Sequence, residues 1–405
     1  MISFDRYFLL NEGGAGGSMI HPFDIPEITS GNKLRKLFDD VVLHLKMHSG
    51  GAKIDGTNNS LRLVDGPNGK EFAVDRGSMK ELDLEGITLD KLERQWPNKL
   101  IIEPGKEVAE ETHGMVKSNQ ILLTIMNEAL PHIEPELKAL GLWSTQDPTK
   151  ARYINCEFVK KSEGGVSSQN VIQYGKNFIA FHGIKKYKHV TGKGKTGRKL
   201  NRREGVKMRN ALGEPTYNVN AFNRLVNKVH SVSKSHDFDT HGVIPVRFTS
   251  EPDFEHEFNQ KITIVHDKSQ EDTRTLDLWC SQAGNPTGQN VKLLNGDRLP
   301  AMRLDFYEYI IGENDRSKGP LNEMFVDDNI NMKNAIDAAI IWHITRVLGR
   351  QIIQNMETDY QDIIPVGEGI AIDGMLPSPR AKKAYPEFKI SGDFLIQNRY
   401  AGFGV

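Results

Sequence analysis

The chain has 405 residues, enough for two domains or for one large domain carrying insertions, and either could bury a substantial core. Its formal charge is only −1, with 38% hydrophobic and 26% charged residues, which excludes attraction of nucleic acid by the molecule as a whole and leaves local clustering as its only source. Cys156 and Cys280 stand too far apart in sequence to suggest a disulfide framework and are too few for a zinc site, and no apolar run is long enough to span a membrane.

The amino terminus, MISFDRYFLLNEGG, carries acids where a signal peptide carries bases, so a cytoplasmic location and no membrane partner are expected. A glycine- and proline-rich stretch follows, after which Thr29, Ser30 or Asn32 could cap a helix with Leu34, Leu37, Phe38, Val41, Val42 and Leu45 at helical spacing. That helix ends in HSGG, and Ala52 leads straight into KIDGTN, residues 53–58. SLRLVDGPNGKEFAVDRG predicts a hairpin with DGPNG as its turn, and a second helical pattern covers roughly 118–141. RYINCEFV and NVIQYGKNFIAFHGI predict strands. Strand, loop and strand then continue irregularly to a long helix at roughly 333–356, and EGIAID and EFKISGDFLI give two short strands near the end. With no internal repeat, the pattern is that of a mixed α+β chain.

The most biased segment is KKYKHVTGKGKTGRKLNRREGVKMR, residues 185–209, with eleven bases against one acid, Glu204. Lys193, Lys195, Arg198, Lys199, Arg202 and Arg203 within it are the expected nucleic-acid contacts; a solvated, disordered loop is the alternative. The GKT at 194–196 is not a P-loop, because His189 stands where the first glycine is required and no long apolar strand leads in.

KIDGTN raises a sharper question, since Asp-Gly is a common turn and Lys53 could equally be a nucleophile. An unperturbed lysine is neutral in only about one amine in 2500 at pH 7, so attack on a nucleotide's α-phosphorus needs nearby cations and a metal to offset phosphate charge. Gly56 would let the backbone approach a nucleotide, Asp55 could position or bind a metal, and Asn58 offers both a donor and an acceptor.

KIDGTN, an Arg-Gly after a hairpin, an acidic strand, an aromatic strand, EGIAID and FKISGDF occur in that order. The series resembles the covalent nucleotidyltransferase superfamily of ATP-dependent polynucleotide ligases and capping enzymes, and is most similar to the nick-sealing RNA ligases. The resemblance implies a nucleotidyltransferase (ATP-grasp-like ligase adenylation) fold of antiparallel sheets flanked by helices, with a large insertion, and with ATP and Mg²⁺ (or Mn²⁺) as cofactors and RNA or DNA ends or nicks as partners. Lys53 would be the adenylated residue, Arg76 would contact the nucleotide or the acceptor end, and Glu157 would hold the ribose. Phe181 would stack on adenine, Glu368 would serve the metal-assisted steps together with Asp55, and Lys389 would contact the α-phosphate. Gly56 and Asn58 would complete the nucleotide site. The chain departs from the pattern at Cys156, where glycine is usual, and at Ser391, which replaces the second lysine of a Lys-x-Lys pair.

Residue by residue, a structural role competes with each assignment: an exposed strand acid at Glu157, a core ring at Phe181, a turn at Glu368, a surface strand lysine at Lys389. The motifs assign 1–190 and 360–405 to the adenylation domain and 191–359 to an inserted domain that clamps nucleic acid. Only fourteen residues follow Ser391, so no further clamp domain is expected after it. The expected activity is ATP-dependent joining of 5′-phosphate and 3′-hydroxyl ends, RNA favoured. The alternatives are a DNA ligase with an atypical clamp, a transferase placing AMP or GMP on another acceptor, and a nucleic-acid-binding protein of the same fold with reduced catalysis.

Overall fold

The computed structural model describes residues 19–54, 56–75, 86–101, 109–144, 151–161, 174–193, 199–267, 270–284, 329–364 and 368–391. They belong to two compact units, one drawn from Ile54–Ile244 and the other from Met19–Lys53 and Pro245–Val405. Compactness thus divides the chain directly after Lys53 and after Ile244, whereas the motif spacing draws its boundaries near 190 and 360.

The second unit begins with α1 (Gly31–Met47), whose N-cap Ser30 accepts a hydrogen bond from the Lys33 N–H at 3.3 Å. Leu34, Leu37, Phe38, Val41 and Leu45 form its buried face. β1 (Gly50–Ala52) follows where the sequence suggested a direct run into KIDGTN.

The first unit then opens with β2 (Thr57–Gly66) and β3 (Gly69–Asp75), a hairpin in register from Ser60 opposite Asp75 to Gly66 opposite Gly69, which makes the expected turn. After α2 (Leu92–Gln95) and the paired β4 (Lys99–Ile101) and β5 (Ala109–Glu111) comes α3 (Gly114–Ala139), capped by His113. β6 (Arg152–Val159), β7 (Phe178–Lys193), β8 (Lys199–Lys207), α4 (Val219–Ser233) and β9 (Asp239–His241) complete the unit. The sheet order is β3-β2-β6-β7-β8, with β9 parallel to β7.

Strict alternation decides what each face carries. Leu61, Leu63, Ile154, Cys156, Phe158, Ile179 and Phe181 join the core with residues of α3 and α4, such as Leu122, Met126, Phe222 and Leu225. Ser60, Arg62, Asn155 and Glu157 alternate with them and are turned to the opposite face. α3 and α4 are also tied through Glu136, which accepts from Lys228 at 2.8 Å and Arg224 at 3.4 Å.

The second unit resumes with β10 (Pro245–Phe248), α5 (Phe254–Asn259), the hairpin of β11 (Lys261–Asp267) and β12 (Gln270–Thr275), and α6 (Leu276–Gln282). It closes with α7 (Asn329–Gln354), β13 (Met356–Glu357), β14 (Ile370–Ile372) and β15 (Phe388–Ile390). Its five-stranded sheet has the order β13-β10-β1-β14-β15, every pair antiparallel.

The α+β reading holds, and α1, the β2–β3 hairpin, β6, α7, β14 and β15 lie where the sequence puts them. Three stretches differ. Residues 174–177, expected within a strand, are not in one, and β7 starts at Phe178. The basic segment is not an irregular loop where described: β7 continues to Lys193 and pairs with β8, while Lys195 and Arg198 lie outside the described residues. GKT is followed by the strand β8, not by the helix that a P-loop requires. α4 occupies part of the stretch read as alternating strand and loop, with Ala221, Phe222, Leu225, Val226 and Val229 on its buried face and Asn218 as its cap. No helix among the described residues is long and apolar enough to cross a membrane.

Candidate functional site

In the second unit, three segments distant in sequence meet on adjacent strands. Gly51 pairs with Ala371 and Ala52 with Ile370, and the Lys53 N–H continues the ladder by donating to the Gly369 carbonyl at 2.7 Å. Across β14 and β15, Ile370 pairs with Ile390 and Ala371 with Lys389. Continuing both registers by one residue aligns Lys53, Gly369 and Ser391 in one lateral row, with Gly51, Ala371 and Lys389 in the next row of the same face. Lys53 and Lys389 therefore share a face, and both are buried, at 5% and 3% exposure.

Gly369 makes this closeness possible. A Cβ there would lie 3.2 Å from Lys53 Cδ and 2.8 Å from the Ile390 carbonyl oxygen, so the lysine stem crosses the place a side chain would occupy. Glu368 is buried beside it, and its Oε1 accepts from the Gly369 N–H at 3.0 Å. Ser391 stands in the Lys53 row, beyond Gly369.

In the first unit the focus is Glu157. On β6 it stands opposite Asn58 of β2 and Ala180 of β7. Its Oε1 accepts from the Gly56 N–H at 3.1 Å, and its Oε2 accepts from Asn58 Nδ2 at 3.1 Å and lies 3.4 Å from His182 Nε2. Burial pushes this carboxyl up, but His182, Asn58 and the Gly56 N–H outweigh it and leave the group below its ordinary value, hence ionised at neutral pH. Gly56 can come this close only because it lacks a side chain: a Cβ there would lie 2.7 Å from the Phe158 carbonyl oxygen and 3.0 Å from Glu157 Cγ.

The row next to Glu157 carries Asp75, Ser60 and Asn155 side by side on β3, β2 and β6. With Arg62 and Lys185 they make a sheet face that is polar and yet buried. Burying so many polar groups is costly unless they are hydrogen-bonded or serve a ligand. Asn155 Oδ1 is buried with no hydrogen-bond partner.

Phe181 is not on this face. It pairs with Cys156, points into the core and is fully buried, so its ring packs with Ile179 and Phe158 and is turned away from Glu157. Alternation is the reason: residues 181 and 157 fall on opposite sides of the sheet. Asp55 and Arg76 lie outside the described residues, as do Lys195 and Arg198; Lys193, Lys199, Arg202 and Arg203 take paired positions on the β7–β8 hairpin.

Motif spacing did not single out Ser60, Arg62, Asp75, Asn155 or His182. A signal for the first two and for Asn155 was present in the polar positions that alternate with Leu and Ile in SLRLV and YINCEFV. Comparison with known protein families, with characterised proteins and with solved structures found no match to this chain.

Proposed function

We propose that the chain is an ATP-dependent polynucleotide ligase that joins 5′-phosphate and 3′-hydroxyl ends through a lysyl-AMP intermediate, with RNA or RNA-containing strands as the favoured substrate. The observation that supports it is the register in the second unit: Lys53 stands beside Gly369, and Lys389 shares its face one strand further on. These are the three segments that the resemblance assigns to the nucleophile, to the glutamate motif and to the phosphate-contacting lysine.

In the first step Lys53 Nζ, having given up a proton, attacks the α-phosphorus of ATP. A P–N bond forms as the bond to the pyrophosphate oxygen breaks, and pyrophosphate leaves. A 5′-phosphate oxygen of the acceptor strand then attacks the same phosphorus and releases Lys53. A 3′-hydroxyl finally attacks the activated 5′-phosphate and displaces AMP. Transfers of this kind depend on positioning and charge stabilisation, which Lys389 supplies as a cation on the face of Lys53. Glu157 would hold the ribose, and the bonds it already makes to Gly56 and Asn58 keep its carboxylate in place. Phe181, facing the core, is not assigned to the adenine.

No group of three or more His, Cys, Asp or Glu side chains able to hold a metal gathers among the described residues. Mg²⁺ would arrive on the ATP phosphates and draw on one or two protein carboxylates, with Glu368 as the described one. Bound there, it would offset the phosphate charge.

Incubation with α-labelled ATP or GTP and Mg²⁺ tests the reading. Label should become covalently attached to the protein from ATP, stable to alkali and released by acid as a phosphoramidate is, and be absent in Lys53→Ala, and nicked RNA should be sealed in preference to nicked DNA. A wild-type protein that takes no label from either nucleotide would end it. Ser391 favours the reading of reduced catalysis, because a lysine at that position would add a second cation to the Lys53 row; adenylation without sealing would decide for it.

A further inference from the structure

We propose that His182 is a positioning residue for the segment that follows Lys53, holding the Glu157 carboxylate in the orientation in which it grips Gly56 and Asn58. The inference begins with an irregularity between β6 and β7. Cys156 pairs with Phe181 and Asn155 with Gly183, so His182 is an extra residue on β7. A bulge of this kind re-aims a side chain and is a recurrent device beside functional sites. Here it lets Ile184 return to the core, while His182 stays on the polar face against Glu157.

The bulge is held by Gly183. Its φ is +113°, a conformation that L side chains rarely adopt, and a Cβ there would lie 2.6 Å from the Tyr217 hydroxyl. The positive φ of Gly183 thus accommodates the bulge that leaves His182 on the polar face.

What His182 does there follows from the inventory of donors. An ionised carboxylate only accepts, so Nε2 of the imidazole carries the proton it presents to Glu157. Glu157 Oε1 is occupied by Gly56, and Oε2 is shared by Asn58 and His182. Without the imidazole, a buried charge keeps only two neutral amide donors, and the carboxylate can turn or take a proton. Either change loosens its hold on the Gly56 N–H, and only Ile54 and Asp55 separate Gly56 from Lys53. His182 touches neither nucleotide nor Lys53 in this scheme and acts through Glu157.

The kinetic part of this inference rests on the ligase reading; the structural part does not, and the experiment separates them. Hydrogen exchange is followed at the Gly56 amide, in fragments covering residues 54–60, for wild type, His182→Ala and His182→Gln. In parallel the rate of label transfer from ATP to Lys53 is measured at varied ATP concentration. In His182→Ala, exchange at Gly56 should speed up about tenfold, with α3 and α4 unchanged, and the maximal labelling rate should fall by about as much. His182→Gln, which keeps an N–H donor at similar reach, should restore both. Unchanged Gly56 exchange in His182→Ala would overturn the proposal, and so would a uniform speeding of exchange throughout the protein in both variants. A wild-type protein that takes no label would remove the ligase reading, and the exchange comparison would still decide the role of His182.

Discussion

Phe181 and Glu157 belong to neighbouring strands and were read from the same pattern of motifs, yet they have opposite surroundings. Phe181 has no exposed surface and packs in the cluster covered by α3 and α4. Phe181→Ala should therefore destabilise the fold by about 3–5 kcal/mol, the usual cost of truncating a buried ring. Phe181→Leu should cost less and leave the affinity for ATP unchanged. Urea unfolding with ATP titration checks this, and a selective loss of ATP affinity in a fully stable Phe181→Leu would return the ring to the nucleotide. Glu157, in contrast, is a buried charge compensated by one backbone N–H and two side chains, an arrangement that fixes its position as much as it stabilises the fold. The sequence marks both residues as strand positions. Which of them faces the core depends on their neighbours across the sheet.

At the level of elements, the junction of β1 with β14 and β15 is the feature that gathers Lys53, Gly369 and Lys389. β1 is only three residues long and rich in glycine, so propensity alone would not make it a strand. It forms because β10 and β14, both distant in sequence, supply partners on either side. Gly369→Ala should disturb this junction directly, since the new Cβ would meet the Ile390 carbonyl oxygen at 2.8 Å as well as the lysine stem. A loss of about 1–3 kcal/mol in denaturant unfolding is expected, together with slower labelling of Lys53. Full stability and full labelling in this variant would show that the close approach is not needed. α4 was open to a sequence reading, because Phe222, Leu225, Val226 and Val229 have helical spacing. β1 was not, because its signal lies in other parts of the chain.

For the whole molecule, the contrast between a formal charge of −1 and the eleven bases of residues 185–209 sets the expectation for nucleic acid. The β7–β8 pairing turns much of this segment into a hairpin in which Lys193 stands opposite Lys199 and Val190 opposite Arg202. Paired strands fix the backbone spacing of these positions, which a solvated loop does not. Replacing Lys193, Lys199, Arg202 and Arg203 by glutamine should leave labelling of Lys53 intact and weaken binding to nicked RNA. If five cations of the segment meet phosphates in the wild type, log K should fall against log salt with a slope of roughly −4, and the variant's slope should be shallower. Equal slopes would mean that the hairpin does not meet the phosphate backbone. By itself the sequence determined the α+β class, the longer elements and the local pattern of alternation, because these follow from spacing and turn chemistry within a few residues. It also offered KIDGTN as a turn that could carry a nucleophile. The tertiary structure decided that Lys53 directly follows a strand, beside Gly369, that Lys389 shares its face, that Phe181 faces the core and that His182 meets Glu157. Those outcomes depend on pairings between distant segments and on one bulge, and register of that kind is set by the partner strand and not by the residues alone.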